Sequence, residues 1–211
     1  QAISGNEEAL STHADHYTTN RAYGVAAYGK GEVLLEQLGA IIGSEVRNEG
    51  LKEYFNVWSF KHPGPMDFKR IMELTSGIEL DWYFDYFVNT THTIDYSIKE
   101  VATSGDLSRV TLERVGVMPM PQDLKVTYKD GSTIEYHIPL VIMRGNRPLS
   151  ESEILIEDWP WTNPLYTLEV PTKGKRIVSI ELDSNLLQAD VNRDNNLVEF
   201  KGIRKVNFIR D

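Results

Sequence analysis

The sequence contains no cysteine among its 211 residues, which excludes a disulfide scaffold, a thiolate zinc site and thiol redox chemistry. It leaves the compartment open, since a cysteine-free chain folds equally well in reducing and oxidising spaces. Long apolar runs are missing too: none approaches the roughly 20 residues that cross a bilayer, and the opening lacks the basic-then-apolar layout of a signal peptide. No membrane partner is expected. Positive charge is scarce, with 22 Lys and Arg against 31 Asp and Glu for a net charge of −9. The basic residues do not cluster, so nucleic acid is not expected as a partner, because phosphate neutralisation needs grouped cations. The chain opens on Gln1 and its first methionine is Met66, from which loss of an upstream piece is expected.

What remains is ordinary globular material, 41% hydrophobic and 25% charged, enough for one or two packed domains. Two periodicities divide it near Thr93. After a polar opening over 4–20, Val33, Leu34, Leu38, Ile41 and Ile42 fall at helical spacing within 26–42, and Gly43 supplies a stop. Ser44 can cap a second helix carrying Val46, Leu51, Tyr54, Phe55 and Trp58 near one face. His62-Pro63-Gly64-Pro65 breaks the pattern, because proline lacks a donor and disfavours helix just before it. Phe68, Ile71, Met72 and Thr75 give a third helix ended by Ser76-Gly77, and 80–88, dense in aromatics, a fourth that must be buried on several sides.

From Thr93 the period becomes two. Strands are predicted over 94–98, 107–117, 124–128, 133–142, 166–170, 176–182 and 205–209, with hairpin turns at Ser104-Gly105-Asp106 and 129–132. The fold class is therefore α+β: a small all-helical segment (1–92) followed by an antiparallel β-sandwich (93–211). The polar stretch 144–152 reads as a mobile loop.

Three groups of residues could carry chemistry. His13 and His16 lie three apart, whereas zinc hydrolases use His-Glu-x-x-His with a spacing of four and a third ligand, so two polar loop histidines are the better reading. Asp190, Asn192 and Asp194 match positions 1, 3 and 5 of a calcium loop. Lys201 stands where that loop needs its bidentate Glu, and a turn built on Asn and Asp side chains explains the same letters. The third group is Tyr23 to Glu32, in which Tyr28 is followed by Gly29-Lys30-Gly31. Glycine costs roughly 1 kcal/mol relative to Ala inside a helix, so two of them suggest close approach of another backbone or a ligand. Spacing alone leaves Tyr28 equally readable as a packed helix tyrosine.

Tyr28-Gly29-Lys30-Gly31 with Tyr23 five residues earlier resembles the C-terminal part of the catalytic domain of aminopeptidase N-type (gluzincin) zinc metallopeptidases. The later Tyr54-Phe55, Trp58 to Pro63, Asp67-Phe68 and Ser76-Gly77-Ile78-Glu79-Leu80-Asp81-Trp82-Tyr83-Phe84 resemble that family in the same order. The likeness runs over about 11–95, and beyond it holds only as a sandwich following helices. It implies a zinc-dependent peptidase that removes N-terminal residues from peptides. In that family a zinc held by His-Glu-x-x-His and a downstream Glu activates water, and a tyrosine donates to the oxyanion. Tyr28 matches that catalytic tyrosine and Tyr23 a substrate-binding tyrosine near it.

The chain departs from the family in having no His-Glu-x-x-His. The resemblance therefore implies a C-terminal fragment, inactive alone and without a metal ligand of its own. Its zinc, peptide substrate and the upstream part of the same catalytic domain would belong to a longer parent. Lack of cysteine and an acidic surface fit a bacterial cell-envelope or exported enzyme. The alternative is a non-enzymatic β-sandwich module binding protein or glycan, with Trp159 and Trp161 as its contact surface, although a strand-edge or interdomain anchor is the better reading of that pair.

Overall fold

The computed structural model describes residues 5–200. Helix α1 (Asn20–Gly24) opens where the Thr19 hydroxyl accepts from the Ala22 N–H at 3.0 Å, then widens into a π-helical turn over Val25–Lys30 and tightens again as α2 (Gly31–Ile42). The predicted start near Ala26 therefore falls inside a longer helical rod. Gly43 ends α2, and α3 (Ser44–Trp58) runs back along it, with Arg47 Nη1 donating to the Leu35 carbonyl at 3.1 Å. Helix α4 (Pro65–Ser76) begins with proline at its first turn, and Asp67 reaches back to the Gly64 N–H at 2.8 Å. Its stop, Gly77, has φ 71°, a left-handed conformation that costs glycine little. The short α5 (Asp81–Tyr83) continues into a second π-turn, Phe84–Val88, that buries Phe84, Phe87 and Val88.

Two sheets follow. The first has the order β1 (Tyr96–Ser104), β2 (Leu107–Arg114), β6 (Leu165–Pro171). The second has the order β5 (Glu153–Leu155), β4 (Thr133–Ile138), β3 (Gln122–Tyr128), β7 (Ile177–Leu182), β8 (Leu197–Glu199). Period-two burial along β2 and β3 is what turns one face of each strand into the core. The α+β class and the two sheets are as the sequence predicts, with differences at the edges.

Strand β2 stops at Arg114 because the next two N–H groups, of Val115 and Gly116, both turn to the Asp95 carbonyl. A Cβ on Gly116 would lie 2.4 Å from the Thr93 carbonyl oxygen, so only glycine fits that close approach. Strand β4 ends before Pro139, and the predicted continuation to Ile142 becomes a short 3₁₀ turn, Val141–Met143. The chain then crosses over the helical layer, where Met143 accepts from the Glu79 N–H at 3.0 Å, and re-enters as β5 parallel to β4. The sheet is therefore mixed rather than wholly antiparallel. A parallel neighbour requires such a crossover in place of a hairpin. Loop 144–152 is tied down: Arg147 pairs with Asp123 at 3.1 Å and with Glu153, and the Ser150 N–H bonds Glu153 at 2.7 Å. Strands β5 and β8, three residues each, are too short to show a period. The predicted strand over 205–209 lies outside the described residues.

One continuous buried cluster joins the layers, taking Leu38, Ile41, Met72 and Tyr83 from the helices and Leu112, Leu124 and Ile180 from the sheets. Gln37 stitches them: its Oε1 accepts from the Ala189 N–H at 2.8 Å and its Nε2 faces the Tyr83 hydroxyl at 3.4 Å.

Candidate functional site

The π-turn decides how the matched tyrosines are presented. Such turns insert one extra residue into an α-helix and are frequent at functional positions. Here the turn sends Ala26 and Lys30 inward and leaves Tyr28 73% exposed, with Tyr23 39% exposed beside it. Among the described residues these are the two tyrosines with exposed side chains, and neither hydroxyl has a hydrogen-bond partner there. Their rings meet edge-on at 6.5 Å, and Tyr23 meets Tyr17 edge-on at 5.6 Å, so the phenols share one row. Tyr17 is the fixed end, its hydroxyl donating to the Ala9 and Leu10 carbonyls at 3.1 and 3.3 Å. The packed reading of Tyr28 is thus corrected: a six-residue turn rotates it off the buried side. The glycine reading is corrected as well. A Cβ at Gly29 or Gly31 would meet nothing within 4 Å among the described residues, so these glycines ease an irregular turn rather than admit a close neighbour.

Behind the turn Lys30 is 8% exposed. Its ammonium donates to Glu7 at 2.8 Å and to the Thr90 carbonyl at 2.9 Å, and lies 5.1 Å from the centroid of Phe87. A buried cation needs such partners for its donors. The ion pair borders an apolar cleft of about 280 Å³ floored by Val25, Val33, Phe87 and Ile94.

The last turn of α3, the loop after it and the start of α4 carry exposed apolar side chains, Phe55, Phe60 and Met66. Phe60 has φ 63°, an outlying backbone conformation for a bulky residue, and its ring is fully exposed.

Several other candidates turn out structural. His13 and His16 are both exposed and bracket a 3₁₀ turn, Ala14–His16, where His13 Nδ1 accepts from the Asp15 N–H. Asp190 spends its carboxylate on backbone and amide donors: Tyr96 N–H at 3.0 Å, Asn192 N–H at 2.8 Å and Asn196 Nδ2 at 3.2 Å. It clamps the late loop onto the start of β1, the turn reading of Asp190, Asn192 and Asp194. Trp159 is 1% exposed, stacked on Tyr166 at 5.1 Å and donating Nε1–H to the Asn163 carbonyl, and Trp161 packs half-buried against the core. Trp159 is therefore a core anchor and no contact surface.

Sequence reasoning missed one polar cluster. His137, 1% exposed, sits 2.6 Å through Nδ1 from Asp123, which Arg147 and then Glu153 extend. The Arg147 guanidinium holds the Glu153 carboxyl down to about 2. His137 and Asp123 face each other across β3 and β4, a pairing that only the strand register reveals.

Among the described residues no group of three or more His, Cys, Asp or Glu side chains comes together as a metal site. These residues do not fit a zinc ion, and no zinc step is assigned to them.

No family model and no curated protein matches the sequence. Among solved structures the fold is similar to that of Legionella pneumophila aminopeptidase A, a structure determined in complex with aspartic acid. The TM-score is 0.56 at 13% sequence identity, over 83% of this chain and 18% of that one. At that identity the likeness is one of fold. The chain spans less than a fifth of the length of that aminopeptidase.

Proposed function

We propose that this chain is the C-terminal part of a zinc-dependent aminopeptidase of the aminopeptidase N type, contributing a catalytic-domain remainder over 1–92 and a β-sandwich over 93–211. The observation that carries the reading is Tyr28, held on a π-turn with its ring exposed and its hydroxyl unengaged. The motif likeness and the fold shared with a segment of a known aminopeptidase support it.

In this reading the Tyr28 phenol, a neutral donor, gives its hydrogen bond to the oxyanion that develops when a peptide carbonyl becomes tetrahedral. A donor fixed before charge develops costs little in the ground state and gains in the transition state. Tyr23, edge-on to Tyr28, lies on the substrate side. The zinc and its ligands belong to the upstream part of the catalytic domain. The chain alone is then inactive.

The test is Tyr28→Phe in the longer peptidase, assayed on aminoacyl anilides. Loss of one oxyanion donor lowers kcat by about 10²–10³ with KM nearly unchanged. Wild-type kcat in a folded variant sinks the assignment.

A further inference from the structure

We infer that Lys30 is a positioning residue for Tyr28: its buried tie to Glu7, the Thr90 carbonyl and Phe87 holds the π-turn that aims the phenol outward. The inference deepens the proposed function and rests on that reading of Tyr28 for its catalytic half.

A π-turn is disfavoured relative to an α-turn and persists only where something holds it. The turn has no side-chain cap at its start, and its outer residues Ala27, Tyr28 and Gly29 are exposed. On its inner side are Ala26, a single methyl, and Lys30. Lys30 reaches three separate pieces of chain: the N-terminal segment through Glu7, the aromatic turn through Phe87, and the segment beyond it through the Thr90 carbonyl. Two residues along a helical turn point to roughly opposite sides, so fixing Lys30 inward fixes Tyr28 outward. Closing the turn to α geometry would remove one residue from it and swing the tyrosine by about 100° about the helix axis. The ion pair is a poor source of stability for its size, since apolar replacements of buried pairs are often neutral or stabilising. Its directional contacts, which a methionine stem cannot make, are what set the turn.

The experiment has two arms. In the 211-residue chain, hydrogen exchange is followed at the amides of 25–31 in wild type, Lys30→Met, Lys30→Arg and Glu7→Gln. Lys30→Met and Glu7→Gln are expected to speed exchange there by about tenfold while β2 and β3 keep wild-type protection, and Lys30→Arg restores most of it. Protected sheets with unchanged exchange at 25–31 in both Glu7→Gln and Lys30→Met overturn the inference. Should Lys30→Met fail to fold, Glu7→Gln decides alone. In the longer peptidase, a folded Lys30→Met lowers kcat about tenfold with KM unchanged and Lys30→Arg rescues it, a split that plain destabilisation would not give. Wild-type kcat in Lys30→Met, where Tyr28→Phe is impaired, overturns the positioning role. Wild-type kcat in Tyr28→Phe overturns the reading of Tyr28 instead, whatever the exchange arm reports.

Discussion

Two pairs of tyrosines make opposite use of one side chain. At the helix–sheet junction Tyr83 and Tyr96 are fully buried, and burial pushes both phenols far above the ordinary range. Each hydroxyl is committed, Tyr83 to the Leu34 carbonyl at 2.9 Å and Tyr96 accepting from the Met120 N–H at 2.8 Å. On the π-turn and the helix before it Tyr23 and Tyr28 keep their rings in the open and their hydroxyls unengaged among the described residues. A buried, committed hydroxyl stabilises a fold and lies out of a substrate's reach, whereas an exposed, unengaged one is able to form its bond later, when charge develops on a substrate. The junction therefore spends its phenols on the fold, and the π-turn is where, on the proposed function, one is kept for a substrate.

That contrast can be broken most forcefully at Trp159, which meets Tyr96 edge-on at 5.5 Å and stacks on Tyr166. Trp159→Ala removes the largest fully buried side chain and should cost about 3–5 kcal/mol, read from urea unfolding. A smaller loss would mean the junction is not the stabilising region. Tyr83→Phe is the next step down. It deletes a donor to a buried carbonyl and should cost about 1–3 kcal/mol, while Tyr28→Phe should stay within about 0.5 kcal/mol of wild type. Equal costs for the two would erase the distinction between a structural and an available phenol.

The last comparison lies with acid. Glu153, ordinarily near 4.5, is held at about 2 by Arg147 and by the Ser150 N–H. Because the folded value is depressed, its contribution is present above about pH 4.5 and is lost as pH falls toward 2. The stability difference between wild type and Glu153→Gln should be constant from neutrality down to about pH 5 and close to zero at pH 2. A difference unchanged at the lower pH would show that loop 144–152 is held by something other than this pair.

Much of the architecture was legible from pattern. Helical spacing of Leu38, Ile41 and Ile42, proline at 63 and 65, and Gly43 and Gly77 as stops locate the helices within a few residues, because backbone sterics act locally. Alternation found most strands, and it failed at β5 and β8, where three residues carry no period. It also overran β4, where Pro139 ends the ladder. Tyr28 was singled out by its neighbours in sequence, yet its exposure was not legible, since a regular helix and a π-turn are written in the same letters. For Trp159 the sequence favours an anchor over a contact surface, and only the fold supplies its partners, Tyr96 and Tyr166.

The sequence by itself determined the α+β class, the order of most of the helices and strands, and the lack of cysteine and of any long apolar run, because composition is read directly and periodicity acts through near neighbours. The tertiary structure decided which polar groups are spent and which are free. Lys30 finds Glu7 and Thr90, Gln37 finds Ala189, and Asp190 finds Tyr96, each across a separation no local pattern encodes. Burial makes those partnerships obligatory, and it leaves out the phenols of Tyr23 and Tyr28, the two that the proposed function uses.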